Sequence, residues 1–175
     1  MSTSPEQRIP ADPQLSHVCD TIAELAVTYD ISIGTAESLT AGNLAAMLGK
    51  APSSGQWFRG GIVADHEDVK HTLLTVPDGP VVSERAAAAM AVSTASLIGA
   101  DLTIAVTGEA GPHCQEDQPP GTVWAAVCDR GEVSTERKHF DGEPEQVLAQ
   151  TLSFAIDSLV RHARERARDR APGRE

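Results

Sequence analysis

Residues 101–107, DLTIAVT, restrict the fold more than any other segment of the chain. They read as a buried strand, and an apolar run without polar alternation must be covered on both faces, as in a sheet flanked by helices. The run stops at Gly108-Glu109-Ala110-Gly111-Pro112, which cannot continue a ladder. Two earlier segments, residues 31–36 and 57–64, read as strands of the same kind. The intervals between strands are helical. Val18, Ile22, Leu25 and Ala26 recur at helical spacing, residues 39–48 form a second helix, and residues 51–55 a loop. Residues 65–74 form a short helix with Asp65 as N-cap and Asp68 at its third position. Ser83-Glu84 opens an alanine-rich helix that reaches Ile98.

After the central strand the pattern changes. Residues 122–128 and 133–140 form an antiparallel hairpin around Asp129-Arg130-Gly131. Pro144 then starts a long helix whose Val147, Leu148, Leu152, Ala155 and Leu159 make one apolar stripe. Strands alternating with helices, followed by one hairpin, predict an α/β fold: a three-layer α/β/α sandwich with a mixed, mainly parallel sheet. The folded domain is expected over residues 13–163. Residues 1–12 read as a disordered leader, and the charged stretch from Arg161 onward as a solvated face fraying into a disordered tail at 164–175.

Composition narrows the function. At 175 residues the chain suits one domain with a sizeable core. Aromatic residues are only 3%, so the core is aliphatic and base-stacking platforms are absent. A formal net charge of −11 opposes general binding to nucleic acid or anionic lipid. No apolar signal segment or membrane span is present, and Cys19, Cys114 and Cys128 form neither a disulfide framework nor a zinc motif, so the expected location is the cytoplasm.

Two loops then stand out. Thr35-Ala36-Glu37-Ser38-Leu39-Thr40-Ala41-Gly42 joins a strand to a helix, and residues 107–111 leave the central strand. Both lie just past strand C-termini, where open α/β sheets bind ligands. Hydroxyls and N–H groups converging at a helix start suit an anion or a developing oxyanion, although Ser and Thr also serve as ordinary helix caps.

Four segments in this order resemble the CinA C-terminal domain family: TAESLTAG (35–42), FRGGIVADHEDVK (58–70), VTGEAGP (106–112) and GTVWAA (121–126), with PVVSERAA (80–87) a weaker fifth. Stand-alone members are nicotinamide-nucleotide amidases. The resemblance implies the same three-layer fold and metal-free hydrolysis of the carboxamide of nicotinamide mononucleotide, or a related amide, to the acid and ammonia. It implies no cofactor and a homodimer, for which the alanine-rich helix offers a flat surface. Carried over by position, Ser38 is the nucleophile, Lys70 its base and Thr107 an assisting group. Substrate contacts fall on Thr40, Ala41, Gly42, Gly60, Gly61, Asp65, Gly108 and Gly111. A serine hydroxyl needs such a base, and a lysine serves only when burial brings its pKa down towards neutrality.

The chain departs from the family at several places. The family usually has Cys at Leu39, Gly at Ala41 and Tyr at Asp65. A glycine-rich loop is replaced by His113-Cys114-Gln115-Glu116-Asp117, and Glu143, Pro144 and Glu145 stand where an arginine is expected. The added carboxylates oppose an anionic substrate, which leaves two alternatives: an amidase of altered substrate, and a protein that keeps the fold and binds a nucleotide-like ligand or a partner subunit without hydrolysis. His66, His71 and His113 match no metal-ligand spacing.

Overall fold

The computed structural model describes residues 13–111 and 118–170. The leader 1–12, the loop 113–117 and residues 171–175 lie outside the described residues. Eleven elements follow in order: α1 (Pro13–Thr28), β1 (Ile33–Glu37), α2 (Asn43–Lys50), α3 (Ser54–Trp57), β2 (Phe58–Val63), α4 (Glu67–Leu73), α5 (Glu84–Ile98), β3 (Leu102–Gly108), β4 (Thr122–Asp129), β5 (Glu132–His139) and α6 (Pro144–Arg170). The sheet order is β2-β1-β3-β4-β5. β1 runs parallel to both β2 and β3, whereas β4 is antiparallel to β3 and to β5. The mixed sheet with helices on both sides is the predicted architecture.

Each face of the sheet has its own core. Ile33, Ile104 and Val106 face α1, α2 and α6 through Ile22, Leu44, Ile156 and Leu159. Burying a side chain such as Ile104 or Leu159, both fully enclosed, contributes about 1.5–3 kcal/mol. The other face carries short residues, Ala36, Ala105, Ala126 and Cys128, and meets Ala86, Ala87, Met90 and Ala91 of α5. Small side chains on both surfaces let helix and sheet approach closely at native density. The alanine face expected to meet a second subunit is therefore packed inside the domain.

At the start of the parallel strands Ser32 and Asp101 clamp β1 to β3. The Ser32 N–H and hydroxyl donate to Asp101 Oδ2 at 3.2 and 2.9 Å, and the Asp101 N–H donates to Ser32 Oγ at 2.9 Å. Burial alone would raise the Asp101 pKa, but the Ser32 donors together with the charges of Arg166 and Arg130 outweigh it and hold the carboxyl below its ordinary value. A carboxyl depressed in the folded state adds stability above its unfolded pKa, and that stability is lost as pH falls through the folded value. Asp101→Asn is expected to cost about 1–2 kcal/mol near neutral pH. The difference should begin to close as pH drops below the ordinary aspartate value of about 3.9 and vanish once pH lies below the lower folded value. Urea unfolding of both proteins at neutral and acid pH measures it, and a pH-independent difference would refute the charge argument.

The structure corrects several boundaries. Residues 38–42 form a turn, so α2 begins at Asn43 rather than at 39, and the predicted loop 51–55 runs into the short helix α3. The N-cap of α4 is His66, whose Nδ1 accepts from the Asp68 N–H at 3.2 Å, not Asp65. The fraying expected from Arg161 is also wrong within the described residues. α6 continues to Arg170, and Arg166 is only 5% exposed with Nη1 3.3 Å from Asp129 Oδ1. Arg170 donates to the Tyr29 carbonyl, tying the helix end to the end of α1. No helix among the described residues is long and apolar enough to cross a membrane.

Candidate functional site

β1 ends at Glu37 between Val63 of β2 and Val106 of β3. The Ser38 N–H donates to the Val106 carbonyl at 3.2 Å, and the Ala64 N–H donates to the Glu37 carbonyl at 2.8 Å. Ser38 thus leaves the sheet at its C-terminal edge, held between two neighbouring strand ends. Alternation along a strand places residues two apart on one face. Ala36 and Ala105 both lie in the core on the α5 side, so Ser38 and Thr107 follow on that same side. α4 packs there too, through Val69 and its C-cap residue Leu74.

Lys70 of α4 is 4% exposed, and its Nζ donates to the main-chain carbonyl of Asp65 at 3.2 Å. Asp65 directly follows Ala64, the residue bonded beside Ser38. Ser38 itself is 5% exposed and Thr107 fully buried. The Thr107 hydroxyl donates to the Val81 carbonyl at 2.7 Å, which leaves its oxygen free to accept. The structure therefore brings Ser38, Lys70 and Thr107 to one sheet edge on one side. The Asp65 side chain is exposed, so the contact it makes with the Lys70 amine is through the backbone.

Beneath the turn lies a residue that the sequence reading missed. Glu37 is fully buried and accepts five hydrogen bonds. Oε2 takes the Thr40 hydroxyl at 2.7 Å and the N–H groups of Gly42 and Leu44 at 3.0 Å each. Oε1 takes the Ala45 N–H at 2.7 Å and the Thr35 hydroxyl at 3.3 Å. A carboxylate on the first amides of α2 meets both the orphan N–H groups and the helix dipole. This explains where α2 starts. The available signal was an acidic residue ahead of a helix with threonines on both sides of it.

The turn itself is strained at one position. Gly42 has φ 89°, natural for glycine, but Ala41 has φ 48°. A left-handed non-glycine residue costs about 1–2 kcal/mol, partly offset in glycine by its greater unfolded freedom. Ala41→Gly is thus expected to raise stability by about 0.5–1 kcal/mol, and a lowered denaturant midpoint would refute that reading of the turn.

The remaining predicted contacts divide. The Thr40 hydroxyl and Gly42 N–H are engaged by Glu37. Gly60 and Gly61 pair with Gly34 and Thr35, upstream of the strand ends, and are not brought to Ser38. A side chain at Gly61 would collide with the Thr35 hydroxyl and approach Ala45 Cβ to 2.8 Å, so the close neighbour expected there is α2. Gly108 lies against β4, where an added Cβ would meet the Thr122 carbonyl at 2.8 Å. Gly111 donates its N–H to Glu109 Oε1 at 3.1 Å, and Glu109 is a second buried carboxylate at this edge that the sequence reading did not single out. His71 is held by the Val76 carbonyl at 2.8 Å and by Glu67, and both raise its pKa above the ordinary value. Among the described residues no group of three or more His, Cys, Asp or Glu could hold a metal ion.

The profile of the CinA C-terminal domain matches residues 16–163. The nicotinamide-nucleotide amidohydrolase PncC of Pseudomonas putida is 37% identical over 138 residues, which cover 75% of this chain and 86% of that protein. Protein YdeJ of Escherichia coli is 33% identical over 152 residues, covering 83% and 88%. Other relatives are longer. The CinA-like protein of Frankia casuarinae is 36% identical over 156 residues that make up 86% of this chain and 35% of that protein, so the chain spans about a third of such relatives. Among solved structures, a CinA superfamily protein from Klebsiella pneumoniae superposes with a TM-score of 0.83 at 33% identity, covering 86% of this chain and 98% of that one. One from Escherichia coli gives a TM-score of 0.82 at 30% identity, covering 93% and 99%. With a profile match running from its first helix into its last, the chain belongs to the CinA C-terminal domain family.

Proposed function

We propose that this protein is an amidohydrolase that cleaves the carboxamide of nicotinamide mononucleotide, or of a closely related amide, through Ser38 and Lys70. One observation carries the reading: a buried lysine amine is held against the carbonyl of Asp65, beside the strand end that presents Ser38. Burial of an amine works in the direction a base requires, because it disfavours the ammonium form. Lys70 Nζ accepts the Ser38 Oγ proton as the oxygen attacks the carboxamide carbon. The tetrahedral oxyanion collapses, the C–N bond breaks, and the proton on Lys70 passes to the departing ammonia. Water then attacks the acyl-Ser38 ester with Lys70 again as base, the bond from the acyl carbon to Ser38 Oγ breaks, the proton on Lys70 returns to Oγ, and the acid leaves. Thr107, whose hydroxyl proton is committed to the Val81 carbonyl, is the assisting group of this reading through its oxygen.

The exposed Asp65 carboxylate, followed by Glu67 and Asp68 on the first turn of α4, favours a variant of this reading. A negative rim costs a substrate phosphate attraction, so the dephosphorylated riboside is the better substrate under it. Ammonia release from purified protein, measured with the mononucleotide and with the riboside, tests both. Release from the mononucleotide alone rejects the rim argument. Release from neither rejects hydrolysis and leaves a ligand-binding or partner role on the same fold.

A further inference from the structure

We propose that Glu37 is a positioning residue for Ser38: its carboxylate fixes the turn that presents the hydroxyl and fills the N-terminus of α2, so that no substrate anion docks on Gly42, Leu44 or Ala45. The kinetic part of this proposal rests on the amidohydrolase reading. The anion part does not.

The N-terminus of a helix is ordinarily a ready anion site, because its first N–H groups point outward without partners. In α2 the chain supplies the anion itself. Three of those N–H groups, from Gly42, Leu44 and Ala45, end on Glu37 at 2.7–3.0 Å. Two threonine hydroxyls, from Thr35 and Thr40, bring the donors to five. An ionised carboxylate has about four lone-pair sites, so both oxygens are saturated. Glu37 is fully buried, and water does not compete for these donors. A second anion at this helix end would have to displace a carboxylate covalently tied to β1.

The same bonds hold Ser38 in place. Glu37 is the last residue of β1, and its side chain grips Thr40 and Gly42, three and five residues on. The chain between them is a closed turn, with the Ala41 N–H on the Ser38 carbonyl at 2.9 Å. Ser38 thus sits between a strand end fixed by the sheet and a helix start fixed by Glu37. The α2 amides are spent, whereas the main-chain N–H groups of Leu39 and Thr40, the two residues after Ser38, meet no acceptor among the described residues. These take the developing oxyanion.

Two experiments test the proposal. In the first, amide resonances of Gly42, Leu44 and Ala45 are followed by NMR during titration with inorganic phosphate. In the wild-type protein they should stay in place, whereas in Glu37→Ala, where the helix end is open, they should shift saturably. Saturable shifts in the wild type would overturn the proposal, whatever the enzyme does. In the second, Glu37→Gln places an amide NH2 against N–H donors, and a misplaced nucleophile costs about 100-fold in kcat with KM within a few-fold. Glu37→Asp and added formate with Glu37→Ala should each restore part of the lost rate. Thr40→Val, which removes one of the five donors, should give a smaller loss of the same kind. An equal fall in folded fraction and activity with kcat per folded molecule unchanged would show Glu37 to be structural only. If the wild type releases no ammonia, the amidohydrolase reading fails and the phosphate titration still decides the anion part.

Discussion

Replacing Ser38 by alanine is expected to lower kcat for ammonia release by about 10⁴-fold or more, the scale seen when a nucleophile that acts with its base is removed. On the proposed mechanism the loss should appear in kcat and not in KM, because the hydroxyl would be used in bond formation and not in holding the substrate. Stability should change little. The contact that anchors Ser38 is its N–H on the Val106 carbonyl, which alanine retains, and its hydroxyl makes no hydrogen bond among the described residues. Ser38→Cys offers a sharper version, since a thiol can still attack and should trap the acyl intermediate as a thioester visible by mass spectrometry. Activity of Ser38→Ala within tenfold of wild type, on protein shown to be folded, would remove Ser38 from the mechanism. The remaining account would then be direct attack by water with Lys70 as base.

How much of this could be read from residues alone depends on where the determining contacts lie. The strands were legible because burial on both faces leaves an unbroken apolar run, as in Leu102–Gly108, and pattern needs no partner to be seen. The placement of the candidate residues was legible for a similar reason: Ser38 follows the end of β1 and Thr107 is the next-to-last residue of β3, and the topology of an α/β sheet brings such positions to one edge. The start of α2 was not legible. Leu39, Thr40 and Ala41 suit a helix locally, but Glu37 captures the N–H groups of Gly42, Leu44 and Ala45, and a side chain from the preceding strand sets the helix start. The end of α6 was missed through the opposite error. A run of Arg, Glu and Asp reads as solvated unless the opposing surface is known, and here Asp129 at the end of β4 takes Arg166 into the interior. At Gly61 the family resemblance implied a substrate contact. Close approach does occur, but it is made by Ala45 of α2 and Thr35 of β1.

Asp65 shows how a departure from a family pattern changes meaning once geometry is known. Aspartate at position 65 puts a carboxylate close in sequence to Lys70, and its effect there depends on where its oxygens point. Its side chain is exposed, and the Lys70 amine bonds its carbonyl, an atom that any residue at this position supplies. On the proposed mechanism the substitution acts on the rim, where substrate charge would be felt, and leaves the bond between Lys70 and that carbonyl unchanged.

Lys70→Met is the replacement expected to separate the base from its surroundings. Methionine keeps most of the length and apolar volume of the lysine stem, so the packing of Val69 and Leu74 in that core is preserved. Loss of the Nζ bond to the Asp65 carbonyl should cost about 1 kcal/mol of stability. The rate should fall by about 10²–10⁴-fold, the usual contribution of a positioned general base. The pH dependence gives the sign. If Lys70 works as a neutral amine, wild-type kcat/KM climbs with pH as the ammonium loses its proton and then levels. In Lys70→Met that limb disappears, and the residual rate follows hydroxide alone. Lys70→Arg completes the test: a guanidinium keeps the positive charge but cannot be deprotonated in a protein, so it should be as inactive as methionine. An active arginine variant would mean that Lys70 serves as a fixed cation stabilising the oxyanion, and that the Ser38 proton leaves by another route.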